Sequence, residues 1–301
     1  MHYTRRQLLL ATAIAARLSA MELSKLKLGV TTDEIDEDPL AASQFLREFN
    51  LNYAEVRNIW GKYNTAQPIE KIKEARAIFD RNHIQVSILG TGFFKVPLPA
   101  ETPDGREALD KQWTLLDGAL ERAKIFGTDK LRVFAFTFKG GEKPDKSVYP
   151  RIYELVTEAA RRAKAKGMRL AVENVGSSYV WSGGESAELL KAVKEDNLGL
   201  TWDPNNAAET GEQPFPDGYK KIDAARIMHV HLRDFKHNAE GKVEWCAVGD
   251  GEMDNVNQIR ALLKSGYKGT FTLETHYKHP QGKAMASRVS LGGLLKAIEK
   301  V

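Results

Sequence analysis

The chain has 301 residues, 42% hydrophobic and 28% charged, with both signs of charge spread along its length. That composition excludes disorder and suits one large domain or two small ones. Without Arg5, Arg6 and Arg17, which sit in an acid-free stretch of twenty residues, the formal charge of +4 becomes +1. A near-neutral body gives no electrostatic reason for a nucleic-acid track or an anionic membrane surface. Cys246 is the only cysteine, which excludes an intrachain disulfide and a cysteine-rich zinc site.

At the N-terminus, Thr4-Arg5-Arg6-Gln7 runs into Leu8, Leu9 and Leu10, then an alanine-rich stretch to Ala16. Residues 1–20 read as a secretory leader of the twin-arginine type, which implies an exported, periplasmic protein. If Met21 is the true start, the expected location is the cytoplasm. The apolar run is too short to cross a bilayer as a helix, and no other stretch is apolar for long enough.

From residue 26 onward, short β-branched or aromatic runs at 27–30, 52–56, 84–89, 131–136, 169–172, 198–202, 227–232 and 270–273 predict eight strands. Helical periodicity over 69–80, 109–126, 147–166, 185–194, 256–264 and 284–299 predicts helices between and after them. Gly127, Gly167 and Gly266 each follow a helical run rich in Lys, Arg or Ala, where a left-handed helix end is expected. Repeated strand–helix alternation implies parallel strands with crossover helices. The expectation is an α/β fold, a single-domain (β/α)8 TIM barrel over 26–301. An open doubly wound sheet is the alternative. Against it, Gly29-Val30-Thr31-Thr32 leads into an acidic loop and not into a glycine-rich phosphate fingerprint.

In such a barrel the chemistry sits where strands end and βα loops begin. Those positions here carry Glu55 on the second strand, Glu173 on the fifth and Asp203 on the sixth. The seventh carries His229 and His231, and the eighth Glu274 and His276. Ionised carboxylates in a dry interior cost several kcal/mol or more, and four on one rim repel each other unless a cation is present. Glu173, Asp203, His231 and Glu274 come from four consecutive strands and would converge on one side of the mouth. Three oxygens and one imidazole suit Mn²⁺ first, then Mg²⁺ or Co²⁺, with Zn²⁺ also accommodated. Any one acid alone could equally pair with a nearby Lys or Arg, so the joint pattern carries the reading. His229 shares a strand face with His231 and is expected one layer deeper, bonded to a neighbour. His276 is either a substrate contact or a loop residue. Trp60, Phe93, Phe94, Trp181, Trp202 and Trp245 lie on or near rim loops, where rings stack on sugars or pack the loops.

Glu173, Asp203, the segment His229-Val230-His231-Leu232-Arg233-Asp234 and Leu273-Glu274 together resemble the xylose isomerase-like TIM-barrel superfamily of sugar phosphate isomerases and epimerases. Gly249-Asp250-Gly251-Glu252-Met253-Asp254 and Gly266-Tyr267-Lys268-Gly269 look like that family's link into its last strand. The resemblance runs from about residue 27 to the C-terminus. It implies that Glu173, Asp203, His231 and Glu274 bind the metal and that Glu173 and Glu274 exchange protons with a substrate carbon. Arg233 would orient a substrate oxygen, with Glu55, Trp60, Asn206 and His276 as further substrate contacts. Asn206 stands where many members carry a histidine.

The implied activity is isomerisation or epimerisation of a keto-sugar by enediolate proton transfer. The main alternative is a metal-dependent lyase or dehydratase of keto-polyols or 3-keto-glycosides, and a non-catalytic sugar-binding protein is the reading from another class. The superfamily's DNA-repair endonucleases need extra histidines, where this chain has Gly90 and the phenylalanine-rich segment 134–138. The expected partner is a small sugar, unphosphorylated because no phosphate cradle follows the last strands. No nucleic acid or membrane span is expected, and the sequence leaves a homo-oligomer open.

Overall fold

The computed structural model describes residues 26–138 and 144–301. The expected leader, residues 1–20, lies outside the described residues. Eight parallel strands form the centre: β1 (Lys27–Thr31), β2 (Tyr53–Val56), β3 (Gln85–Gly90), β4 (Lys130–Val133), β5 (Arg169–Glu173), β6 (Leu198–Trp202), β7 (Ile227–Leu232) and β8 (Thr270–Leu273). Each pairs with its neighbour in sequence. The ring closes where Lys27 to Val30 of β1 pair with Thr270 to Leu273 of β8. The protein is a closed (β/α)8 barrel, not an open sheet.

Its α-helices of six residues or more, among the described residues, are α1 (Pro39–Glu48), α2 (Ile69–Arg81), α3 (Pro103–Phe126), α4 (Tyr149–Lys164), α5 (Gly183–Ala192), α6 (Pro204–Glu209), α7 (Asn255–Lys264) and α8 (Lys283–Ile298). Helix α4 shows why they dock. Ile152, Val156, Ala159, Ala160 and Ala163 recur at helical spacing and are buried, while Arg161, Arg162 and Lys164 occupy its last turn. Helix α3 begins after Thr102, whose side chain accepts from the Gly105 amide, with Pro103 in its first turn. Its polar opening turns put its start at Pro103, ahead of the residue 109 that apolar periodicity predicts. Gly127, Gly167 and Gly266 have φ of 72°, 74° and 81°, the left-handed endings expected at those helix stops.

Two differences from the sequence reading have local causes. Residues 39–48, for which no helix is predicted, form α1: Asp38 caps it through the Leu40 amide, Pro39 opens it, and Ala42, Phe45 and Leu46 are buried. Strand β4 stops at Val133, short of residue 136. Beyond it the Phe134 amide bonds to the Phe93 carbonyl, and Phe136 turns left-handed at φ 60° to stack on Phe94 at 3.9 Å. Along β7, Val230 and Leu232 join the hydrophobic core, which leaves the alternating His229 and His231 on the opposite, interior face. Hairpins rise from the ends of β2 (Asn58–Ile59 with Lys62–Tyr63) and β7 (Asp234–His237 with Val243–Cys246). Among the described residues no helix is long and apolar enough to cross a membrane.

Candidate metal centre

Glu173 ends β5, Asp203 follows β6, His231 lies near the end of β7 and Glu274 follows β8. One ligand atom from each meets the others within 4.8 Å, and all four side chains are buried. Two like charges at that spacing repel by about 3 to 4 kcal/mol at an effective dielectric near 20. His231 Nδ1 sits among the three acids, 3.2 Å from Glu274 Oε2, 3.4 Å from Glu173 Oε1 and 3.7 Å from Asp203 Oδ2. Neither that nitrogen nor Asp203 Oδ2 takes a hydrogen bond, although Arg233 Nη2 stands 2.8 Å from the oxygen. Buried polar atoms without a partner are rare. Here they face one another in an oxygen-rich cluster with one imidazole, a donor set that fits a divalent cation.

The surrounding elements aim each donor. Asp203 splits its carboxylate: Oδ1 accepts from the Asn205 and Asn206 amides and caps α6, which leaves Oδ2 facing inward. His231 turns its other nitrogen, Nε2, to Glu55 Oε2 at 2.7 Å. That bond places a proton on Nε2, so Nδ1 is open to a cation or to a second proton.

Glu55 therefore differs from the expected substrate contact. It is fully buried, and the same Oε2 also receives His229 Nε2 at 3.0 Å. It sits beneath the four donors and holds one of them. His229 occupies the deeper layer and bonds to this neighbour, as its alternation with His231 predicts.

Three arginines surround the donors. Arg132, in β4, places Nη1 2.9 Å from Glu173 Oε2 and 3.6 Å from Glu274 Oε1, with Nε 3.4 Å from Glu55 Oε1. Arg57, just past β2, donates from Nη1 to Glu274 Oε1 at 2.5 Å. Arg233 contacts Asp203, donates to Asn206 Oδ1 and His276 Nδ1, and lies 4.3 Å under the Trp245 ring.

Sequence reasoning passed over Arg132 and gave Arg57 no role. The signal for Arg132 was a cation inside the apolar run Leu131-Arg132-Val133, one strand before Glu173. Gly90 pairs with it across β3 and β4, and a Cβ there would come 3.1 Å from Arg132 Nη2 and 3.2 Å from Glu55 Oε1. The missing side chain at Gly90 thus makes room for the guanidinium.

The remaining expected contacts fall in different places. Asn206 is buried, with its amide bonded to Glu173 Oε1, the Asn174 carbonyl and Arg233, so it clamps protein groups together. His276 stands at the mouth, 35% exposed, with φ 49° and Nε2 3.7 Å from Glu274 Oε1. Trp60 has Lys71 Nζ 4.8 Å over its ring and packs on the core; no described contact joins it to the four donors. Trp202, Phe93 and Phe94 are fully buried and pack the protein, whereas Trp181 and Trp245 keep partial exposure.

The electrostatics follow from this packing. Burial favours the neutral form of Glu55, but His231 and Arg132 outweigh it and hold that carboxyl well below the usual range. Burial is likewise overcome at Glu274 by His231, and at Asp203 by Arg233, so both stay ionised. His231 is buried too, yet the charges of Glu55 and Glu274 push its pKa well above 6.5. His229 moves the other way because burial dominates.

Fold and rim together define a class: single-domain parallel barrels that gather acids, imidazoles and guanidiniums at the C-terminal mouth. Within it, residues 44–291 match the xylose isomerase-like TIM-barrel family, and the chain belongs to that family. It is 25% identical over 239 residues to an inosose isomerase of Halalkalibacterium halodurans, spanning 77% of this chain and 80% of that protein. Its structure is similar to the IOLI protein with a bound zinc atom: TM-score 0.73, 19% identity, 91% of this chain and 99% of the other. It is also similar to D-psicose 3-epimerase with D-tagatose from Clostridium cellulolyticum H10: TM-score 0.68, 17% identity, 91% and 97% of the two chains.

Proposed function

We propose that the protein is a divalent-metal-dependent isomerase or epimerase of a keto-sugar that moves a proton at the carbon beside the carbonyl. One observation carries this reading. Glu173 Oε1 and Glu274 Oε2 turn toward His231 Nδ1, while Glu173 Oε2 and Glu274 Oε1 turn outward to Arg132 and Arg57. Each glutamate thus has one oxygen for a cation and one beyond it. The isomerase and epimerase named above support the same reaction class.

Glu173, Asp203, His231 and Glu274 would hold the ion, with Mn²⁺ favoured by the donor set. When bound, it would polarise a ketone and the neighbouring hydroxyl and lower the cost of removing the proton between them. One glutamate takes that proton; the other returns a proton to the opposite face, giving epimerisation, or to the adjacent carbon, giving isomerisation. Such positioned acid–base catalysis contributes about 10² to 10⁴ in rate. Arg132 stands beside both outer oxygens, its Nη1 2.9 Å from Glu173 Oε2 and 3.6 Å from Glu274 Oε1, and offers them positive charge at the mouth. Arg233, braced by Asp203, Asn206 and Trp245, directs its guanidinium along the same rim to orient a substrate oxygen. If residues 1–20 act as a twin-arginine leader, the activity lies outside the cytoplasm, which would favour an unphosphorylated sugar; with Met21 as the start it lies in the cytoplasm.

The test is incubation with ketoses and 3-keto-glycosides in D₂O with Mn²⁺. Deuterium in recovered or isomeric sugar is the expected result. An eliminated product would make the protein a lyase, and tight binding without exchange would make it a sugar-binding protein. Glu173→Gln and Glu274→Gln should each lower turnover by about 10² or more. Full activity in either variant would refute that residue's role.

A further inference from the structure

We propose that the Arg57 guanidinium is a built-in cation filling a second cation position beside the metal centre, so that the protein takes one divalent ion and not two. The inference rests on the metal reading of the first centre. Glu34, Glu274 and His276 bring one ligand atom each within 4.8 Å of the others, a second cluster that shares Glu274 with the first. His276 Nε2 lies 3.8 Å from Glu34 Oε1 and 3.7 Å from Glu274 Oε1. Asp33 joins the same group through Arg57. The guanidinium donates from Nε to Asp33 Oδ2 at 2.9 Å, from Nη2 to Glu34 Oε1 at 3.0 Å and from Nη1 to Glu274 Oε1 at 2.5 Å.

Three carboxylates therefore surround Arg57 and the His276 imidazole stands beside two of them, the same donor types that make up the first centre. Glu274 is common to both: Oε2 turns to His231 Nδ1 and Oε1 to Arg57. One carboxylate offering its two oxygens to two cations is the arrangement of a paired-metal site. Arg57 supplies the second positive charge from the chain itself, in a planar fork whose donors reach all three acids at once. His276 is held in place for this cluster by Arg233 and by a left-handed backbone at φ 49°, a conformation non-glycine residues adopt at a cost. The guanidinium is always charged, so the position stays filled at any working pH.

The experiment is a count of ions. Full-length protein is equilibrated with excess Mn²⁺ and desalted. Metal per chain is then measured by mass spectrometry and the spin state by electron paramagnetic resonance. Wild type should hold about one ion with an isolated Mn²⁺ spectrum. Arg57→Ser and Arg57→Gln should hold about two, with an exchange-coupled spectrum, and His276→Ala added to either should return the count to about one. The glutamine variant keeps hydrogen bonding to the acids and guards against a folding defect in the serine variant. A folded variant that still takes one ion, or a wild type that takes two, overturns the proposal. A wild type that takes none sinks the metal reading itself, a different and separable failure.

Discussion

Strands β5 to β8 and strands β1 to β4 line the same mouth but leave it in different states. The first group supplies Glu173, Asp203, His231 and Glu274, with a histidine nitrogen and an aspartate oxygen facing inward and without a hydrogen bond. In the second group the acids that follow β1 and end β2 are each engaged by a cation or an imidazole. Asp33 and Glu34 meet Arg57, and Glu55 meets two histidines and Arg132. One half is open to a ligand and the other is a closed scaffold that supplies the countercharge. Acids can be gathered in a buried place only if their charge is matched, and this barrel matches Glu173 and Glu274 from the opposite wall and Asp203 from Arg233 on its own side.

The largest expected break of that contrast is Arg132→Met. Loss of the guanidinium removes the one buried arginine that Glu55 and Glu173 share, which should cost about 3 to 5 kcal/mol of stability. Urea denaturation of the ion-free protein measures it, and a loss under about 1 kcal/mol would mean that the scaffold half does not carry the charge balance.

A smaller effect is expected at Glu55. Replacing it by leucine removes the acceptor that orients His231 and should weaken Mn²⁺ binding by about 10- to 100-fold. Unchanged affinity by titration calorimetry would show that the imidazole is oriented by other contacts.

The smallest effect is a proton. In the ion-free protein the pKa of His231 stands well above 6.5, so at neutral pH it is protonated, and ion uptake must displace that proton. Calorimetry in buffers of different ionisation enthalpy should find about one proton released per ion near neutral pH. The sign for stability follows. A raised histidine pKa gives stabilisation that is complete below its unfolded value and fades as pH rises through the folded one. Glu55, Asp203 and Glu274, all lowered, give stabilisation present above their unfolded values and lost as pH falls through the folded ones. The ion-free protein should therefore weaken on both sides, and no release of protons would argue that Nδ1 is already bare.

Much of the barrel was legible in the chain. Short β-branched or aromatic runs located the strands to within a few residues, because burial against helices demands apolar side chains there. The four donors were legible for the same reason: an acid or imidazole ending an apolar strand stands out against its surroundings. Helix α1 was legible in principle through Asp38 and Pro39 but was masked by the acids around it. Arg132 was hidden because a strand interior and a barrel interior look alike until the register across Gly90 is known.

Sequence by itself determined which residues stand at strand ends and in what order, since chain order dictates the order of strands around the ring. Tertiary structure alone decided which of them face each other. Glu55 reaches His231 across 176 residues and Arg57 reaches Glu274 across 217. Those meetings depend on β1 closing onto β8 and on the register shift between Ala54 and Glu55 where β2 meets β3. An irregularity of one residue redirects a side chain from one face of a strand to the other, and no local pattern records where it falls.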